Sequence, residues 1–180
     1  MVLPVSAREG WSASPLPAVV VPEAVGTSLA AEMRSRFEHA GYKRYALVDR
    51  GSYDVLGAPH VPELLDVLAG VAAEVTGRLL SVADARVLRL GAGDYLLVRH
   101  DRVYDARPVE LVLDLSPEPV TGAEVHWRHR GQVFFTMASA PGALALVERG
   151  PTVMCNHTYV SKRWADASVV RLVVLLRSAS

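Results

Sequence analysis

The sequence lacks the cysteine pairs, the excess of basic residues and the long apolar runs that are typical of several common protein classes. Its 180 residues include one cysteine, which excludes an intrachain disulfide, and 19 basic residues balance 19 acidic ones. A balanced charge argues against a nucleic-acid groove or a basic membrane patch. Residues 1–11 contain one arginine and no long apolar core, unlike a signal peptide. The apolar stretch 18–21 is too short to cross a membrane. The sequence therefore predicts a soluble, cytoplasmic protein that binds neither nucleic acid nor membrane, and it leaves the oligomeric state open.

Local patterns divide the chain into an irregular start, a helical part and a strand-rich part. Residues 1–22 are rich in Pro, Ser and Ala and are expected to be irregular. Residues 23–84 are expected to hold two helices, at 23–40 and 62–80, with a strand at 44–48 and a loop at 51–60 between them. Apolar residues spaced four apart indicate the first helix: Val25, Leu29, Met33 and Phe37. Pro62 suits the first turn of the second helix.

Short apolar or alternating runs, separated by Gly, Pro, Asp and Ser, follow from about residue 85. They predict strands at 86–90, 94–99, 109–115, 123–128, 132–137, 143–148, 153–159 and 169–176. Eight short strands after two helices predict a mainly β fold with N-terminal helices, a jelly roll or double-stranded β-helix. The chain is expected to form a single domain, 1–180, with its jelly-roll core at 85–177.

Arg171 lies in an otherwise apolar run that extends from Val169 to Leu176. A charge in such a strand is costly unless it is paired, and the fork of donors on arginine suits a carboxylate. His157 precedes it by fourteen residues. The carboxylate belongs either to the protein or to a ligand, and the sequence leaves both open.

Strand alternation brings further polar residues into the same barrel. In the predicted strand 94–102, Tyr95, Arg99 and Asp101 share one face, and His100 lies on the other. A carboxylate, the histidine His157 and the arginine Arg171, on three late strands, can then converge in one cavity.

Several pieces of residues 85–177 resemble, in order, the prolyl-hydroxylase-like branch of the Fe(II)/2-oxoglutarate-dependent oxygenases. They are the lead-in strand Arg89-Leu90-Gly91-Ala92-Gly93-Asp94-Tyr95, Asp101 near the His-x-Asp motif, Gly122-Ala123-Glu124, the strand Pro141 to Leu146, His157 and Arg171. The resemblance implies a double-stranded β-helix that binds Fe(II) through His100, Asp101 and His157. It also implies that 2-oxoglutarate is held at Arg171 and Tyr95, while a small molecule or a peptide residue is hydroxylated.

One motif departs from the family pattern. Where the family has His-x-Asp, this chain has Arg99-His100-Asp101, so the histidine directly precedes the aspartate. Neighbouring residues of a regular strand point to opposite faces, and both bind one metal only if a β-bulge turns His100 inward. Otherwise Arg99, Asp101, His157 and Arg171 form a buried polar network in a non-catalytic jelly roll that has lost its metal and binds a small anion. Asp105 is a minor candidate for the carboxylate ligand.

Other residues offer weaker alternatives. Glu124 and His126 share a strand face and could form a cupin-type metal site, although a solvated edge strand is the expected reading. Cys155 is expected to be a buried core thiol rather than a nucleophile. Trp127 and Trp164 are expected to pack, with contact to substrate at the barrel mouth as the alternative.

Overall fold

The computed structural model describes residues 5–98, 106 and 108–179 of the chain. Its described helices are α1 (Val5–Ala13), α2 (Thr27–Glu38) and α3 (Pro62–Thr76). The described strands are β1 (Ala18–Val21), β2 (Lys43–Leu47), β3 (Gly51–Gly57), β4 (Leu80–Leu90), β5 (Tyr95–Leu96), β6 (Val109–Asp114), β7 (Val125–His129), β8 (Gln132–Met137), β9 (Leu144–Glu148), β10 (Val153–His157) and β11 (Val169–Ser178). None of the described helices is long and apolar enough to cross a membrane.

Both predicted helices are confirmed, with shorter bounds. Helix α2 buries Met33 and Phe37 of the predicted apolar face together with Ala30, while Leu29 is partly buried. Helix α3 begins at Pro62 and ends at Gly77, whose φ of 70° is in the left-handed region that glycine adopts at helix ends. The second helix therefore ends four residues before the predicted position, and β4 begins earlier than predicted.

Two predicted irregular segments are wrong. Residues 1–22 include α1 and β1, and the predicted loop at 51–60 contains β3. Helix α1 buries Ala7 and Trp11, and Arg8 donates two hydrogen bonds to the Glu74 carbonyl of α3. Strand β1 pairs with β9, and β3 pairs with β2, β4 and β5. Both segments gain their structure from partners that are distant in the sequence.

The strands form one antiparallel sheet in the order β1-β9-β6-β11-β4-β3-β5-β10-β7-β8, with β2 added beside β3. The sheet folds back on itself, because one buried cluster joins residues from both halves, including Leu88, Val112, Trp127 and Cys155. We call the space around this cluster the barrel interior. The predicted mainly β jelly roll with N-terminal helices is therefore confirmed.

The helices cover the opposite face of the sheet. A second cluster joins α1, α2 and α3 to residues such as Val87, Leu111 and Leu172. Strand β6 is buried along its whole length because Leu111 and Leu113 face the helices while Val112 faces the barrel interior. A polar side chain on the barrel face of β6 therefore needs a partner inside the protein.

The predicted strand at 94–99 is wrong in its length, since β5 contains only Tyr95 and Leu96. The Leu97 amide donates to the Arg50 carbonyl (2.8 Å), which continues the β3–β5 register by one hydrogen bond. The strand itself ends at Leu96. The predicted ligands His100 and Asp101, together with Arg99 and Asp105, lie outside the described residues.

Candidate active site

Two neighbouring stretches at the end of the chain bring His157 and Arg171 into the barrel interior. His157 is the last residue of β10, where it follows Val153 and Cys155 on the inward face. Arg171 lies between the inward-facing Val169 and Val173 of β11. Both side chains are buried, with 3% and 1% of their surface exposed. The structure thus brings together the two residues that the sequence singled out.

Arg171 is in direct contact with His157. Its Nη1 donates to His157 Nδ1 (2.9 Å), and its Nη2 donates to the Ala123 carbonyl (2.6 Å). Arg171 Nε is buried and has no hydrogen-bond partner. Two of the three guanidinium nitrogens are therefore engaged by neutral acceptors, and the third remains available to a further acceptor.

The environment keeps His157 neutral. Burial lowers the pKa of His157 well below its ordinary value, and the charges of Arg171 and Arg86 lower it further. Since the Nδ1 lone pair accepts from Arg171, the proton of the neutral ring lies on Nε2. Binding of a metal through Nε2 therefore requires Arg171 to release Nδ1.

Asp114, the described buried acid opposite Arg171 in the sheet, is hydrogen-bonded to backbone amides. Burial lowers the pKa of Arg171, while the charge of Asp114 opposes this effect. Asp114 lies opposite Arg171 in the sheet register, but its carboxylate accepts from the backbone amides of Ser116 and Ala140, each at 2.8 Å. Within the described residues, no carboxylate is hydrogen-bonded to Arg171.

A second buried arginine, Arg149, which the sequence analysis missed, is paired with Glu110 of β6. Arg149 has no exposed surface and donates from Nη1 to Glu110 and from Nε to the Val153 carbonyl (3.2 Å). Glu110 also accepts from Trp127 Nε1 (2.9 Å). The signal that could have located this network is an acid on the barrel face of a buried strand, where it requires a cation or several donors.

The described residues of the barrel interior show how far the site fits an iron ion. No group of three or more His, Cys, Asp or Glu side chains suited to a metal occurs among the residues that the structure describes. That part of the chain supplies His157 alone, and the assignment of His100 and Asp101 as ligands stays a prediction. A carboxylate ligand fits better, because Arg171 combines a buried charge with an unsatisfied Nε.

Tyr95 lies on the outer surface of the sheet. Its neighbour Leu96 enters the barrel interior, whereas the Tyr95 hydroxyl donates to the Val48 carbonyl (3.0 Å). The side chain lines a shallow outer groove of about 440 Å³ together with His126 and Tyr159. Its predicted role in binding 2-oxoglutarate stays a prediction.

The residues of the cupin alternative also face outward. Trp127 and Val125 of β7 are fully buried in the barrel interior, so His126 between them points away from it. His126 Nε2 contacts Glu124 at 2.7 Å. This pair lies on the outer face of β7, where His126 lines the same groove as His157, and it supplies two of the ligands that a cupin site needs.

The remaining candidates have structural positions. Cys155 is buried in the barrel interior, as expected of a core thiol. Trp127 is packed and hydrogen-bonded to Glu110, whereas Trp164 is 48% exposed in the segment after β10. The expected packing is confirmed for Trp127, and contact with substrate stays a prediction for Trp164.

An ion-pair network holds the lead-in segment before β5. Asp94 accepts from both terminal nitrogens of Arg44 (2.6 and 2.9 Å), from Ser52 (2.6 Å) and from the Gly91 amide (2.9 Å). Burial raises the pKa of Asp94, but these hydrogen bonds outweigh burial and hold the pKa below its ordinary value. The network fixes β5 against β2 and β3, beside the strand that carries His157.

Comparison with known proteins gives structural matches only. No family model and no curated protein matches the sequence. The non-heme alpha-ketoglutarate-dependent epimerase SnoN from nogalamycin biosynthesis is similar at a TM-score of 0.73 and 14% identity, over 97% of this chain and 82% of SnoN. A Pseudomonas putida prolyl-4-hydroxylase is similar at a TM-score of 0.72 and 12% identity, over 97% of this chain and 98% of the hydroxylase.

A 2-oxoglutarate–Fe(II) oxygenase-family oxidoreductase from Burkholderia pseudomallei gives a TM-score of 0.69 at 13% identity, over 88% of this chain and 84% of that protein. All three similarities extend over most of both chains. The chain therefore has the jelly-roll fold of these oxygenases.

Proposed function

We propose that this chain is an Fe(II)/2-oxoglutarate-dependent oxygenase that acts on a small molecule or on a residue of a peptide. One observation carries the proposal: the buried Arg171 has an unsatisfied Nε and no carboxylate partner among the described residues, and it lies next to His157. A buried cation of this kind favours a carboxylate that arrives with a ligand. The fold supports the same assignment.

In this proposal, Arg171 binds the far carboxylate of 2-oxoglutarate, and His157 is one iron ligand beside His100 and Asp101. Bound iron and 2-oxoglutarate would supply the oxidising power for hydroxylation. The protein holds the cosubstrate on Arg171 and encloses the site within the apolar barrel. When Arg171 turns toward the cosubstrate carboxylate, it releases His157 Nδ1 and leaves the imidazole free to present Nε2 to the metal.

The test is an anaerobic titration of metal-free protein with Fe(II) and 2-oxoglutarate, in which the weak visible charge-transfer band is followed. We expect the band in the native protein and in His126→Ala, and its loss in His157→Ala. Succinate should form when air is admitted. Absence of both band and succinate in the native protein would contradict the proposal, and loss of metal only in His126→Ala would favour the cupin site.

A second candidate is a non-catalytic jelly roll that binds a small anion without metal. The contact of Arg171 with His157 Nδ1 favours it, because this contact leaves the ring proton on Nε2, where a metal would bind. The titration separates the two candidates, since the second predicts carboxylate binding that is the same with and without Fe(II).

A further inference from the structure

Arg171 offers a ligand carboxylate its unpartnered Nε. Its Nη1 and Nη2 each donate one hydrogen bond, to His157 Nδ1 and to the Ala123 carbonyl, so two of its five N–H groups are in use. A carboxylate has two oxygens, each of which accepts more than one hydrogen bond. A ligand carboxylate beside Arg171 can therefore accept from further donors on another residue.

Arg86 is the residue that can supply them. On β4, Val87 packs against the helices and Leu88 against the barrel interior, so Arg86 shares the barrel face with Leu88. Leu88 lies opposite Arg171 in the ladder, which makes Arg86 the diagonal neighbour of Arg171 on the adjacent strand. Diagonal neighbours are roughly 7–8 Å apart, within reach of long side chains.

Arg86 is near enough to His157 for its charge to act on that ring. Arg86 is half-buried, and its charge contributes to lowering the pKa of His157, after burial and Arg171. No hydrogen bond or ion pair links the Arg86 side chain to another residue that the structure describes. The next arginine along β4, Arg89, differs: it faces outward, donates two hydrogen bonds to Asp54 (3.1 and 2.9 Å) and lies 4.1 Å from the Tyr42 ring centre.

Among the described residues, neither buried acid of β6 is paired with Arg86 or Arg171. Glu110 is held by Arg149 and Trp127, and Asp114 by two backbone amides. Two neighbouring guanidinium groups on one buried face repel each other and gain most from an anion placed between them.

We propose that Arg86 and Arg171 form one two-arginine site that binds a single carboxylate of a dicarboxylate ligand within the barrel. The site deepens the proposed function by adding Arg86 as a second anchor for the far carboxylate of 2-oxoglutarate, and it rests on that function for the identity of the ligand. The anion site itself does not depend on iron, because neither arginine is a metal ligand.

The test measures binding by calorimetry with two probes. Glutarate is titrated into metal-free protein, and 2-oxoglutarate into protein loaded with Ni(II), which is inert toward oxygen. We expect Arg86→Met to weaken both roughly 10- to 100-fold, as for the loss of one or two charge-assisted hydrogen bonds. Arg86→Lys should weaken binding less, and the matched outward control Arg89→Met should leave it unchanged.

A truncated ligand locates the contact. The monocarboxylate 2-oxobutyrate lacks the far carboxylate, so its binding to the Ni(II)-loaded protein should be the same in the native chain and in Arg86→Met. Unchanged binding of glutarate and 2-oxoglutarate in Arg86→Met, equal weakening of all three ligands, or no binding of glutarate to the native protein would each overturn the two-arginine site. Glutarate binding that depends on Arg86, without an Fe(II) charge-transfer band, would support the site and contradict the oxygenase.

Discussion

Arg171 donates a hydrogen bond to Nδ1 of His157 inside the barrel, so that a buried cation is paired with a neutral ring. Such a pair carries a net positive charge, whereas Arg149 and Glu110 form a neutral pair in the same interior. The two buried arginines are therefore in opposite electrostatic situations, although neither has more than 1% of its surface exposed.

Replacement of Arg149 by methionine is expected to destabilise the protein by about 3–5 kcal/mol, because Glu110 would stay buried without its cation. Chemical denaturation at pH 7 measures the change. The double variant Glu110→Gln/Arg149→Met should recover part of the loss, since it removes the uncompensated charge. A double variant that is less stable than Arg149→Met would contradict this account of the pair.

Replacement of Arg171 by methionine is expected to change the stability of the ligand-free protein by less than about 2 kcal/mol. The lost hydrogen bonds to His157 and Ala123 are offset by relief from burying a charge that has no acid in contact. The same denaturation experiment measures it, with Arg149→Met as the matched comparison. Equal losses in the two variants would mean that Arg171 has a carboxylate partner within the folded chain.

The sequence analysis identified Arg171 as a buried arginine but missed Arg149, and the difference has a physical reason. Arg171 interrupts an apolar run, and its charge therefore stands out. Glu110 and Asp114 interrupt the apolar residues of β6 in the same way, but the sequence analysis did not single them out. Arg149 lies between β9 and β10, where an arginine is usually solvated, and its burial depends on the closure of the barrel around Glu110.

The sequence analysis also missed two segments whose secondary structure depends on contacts with distant residues rather than on their own sequence pattern. The strand β3 alternates weakly and is fixed by pairing with β2 and β4, and α1 is short and packs on α3 through Ala7 and Trp11. By contrast, α2, α3 and the late strands carry their own periodicity. Side-chain faces had a similar limit: alternation put Cys155 and His157 on one face of β10, as the structure has them, but it did not show that Leu96 rather than Tyr95 faces the barrel interior.

The buried neutral His157 should make the metal-free protein lose stability in acid. Its pKa is lowered on folding, so its contribution is fully present above the ordinary pKa of about 6.5 and decreases as the pH falls below it. The expected slope is about 1.4 kcal/mol per pH unit for one proton. Denaturation at pH 5, 6 and 7 in the presence of a chelator measures the slope.

The variant His157→Gln should remove that slope while keeping an acceptor for Arg171. The exposed His60 gives the matched control, His60→Gln, which should retain the slope of the native protein. A slope that persists in His157→Gln would assign the acid sensitivity to another group.

Asp94→Asn should destabilise the protein by about 1–3 kcal/mol at pH 7, because Arg44 and Ser52 lose a charged acceptor. The folded-state pKa of Asp94 is lowered, so the contribution of its carboxylate is present above its ordinary pKa and is lost as the pH falls through the folded-state pKa. The difference between variant and native protein should therefore shrink below about pH 4. A difference that is constant from pH 7 to pH 3 would show that the charge of Asp94 is not the stabilising feature.

Gly51 sits where the two halves of the sheet join, opposite Leu96, which in turn pairs with His157. Its φ is 153°, and an added Cβ would lie 2.6 Å from the Tyr95 carbonyl oxygen. Gly51→Ala should therefore cost about 1–3 kcal/mol. Gly57→Ala at the other end of β3 meets no atom within 4 Å and should change stability by less than about 1 kcal/mol.

The strain in Gly51→Ala falls on the contact between β3 and β5. Hydrogen exchange should therefore also rise at Leu97, whose amide donates to the Arg50 carbonyl. If the two alanine variants are equally stable, β5 is free to move away from β3. The position of His157 then does not depend on the pairing of Gly51 with Leu96.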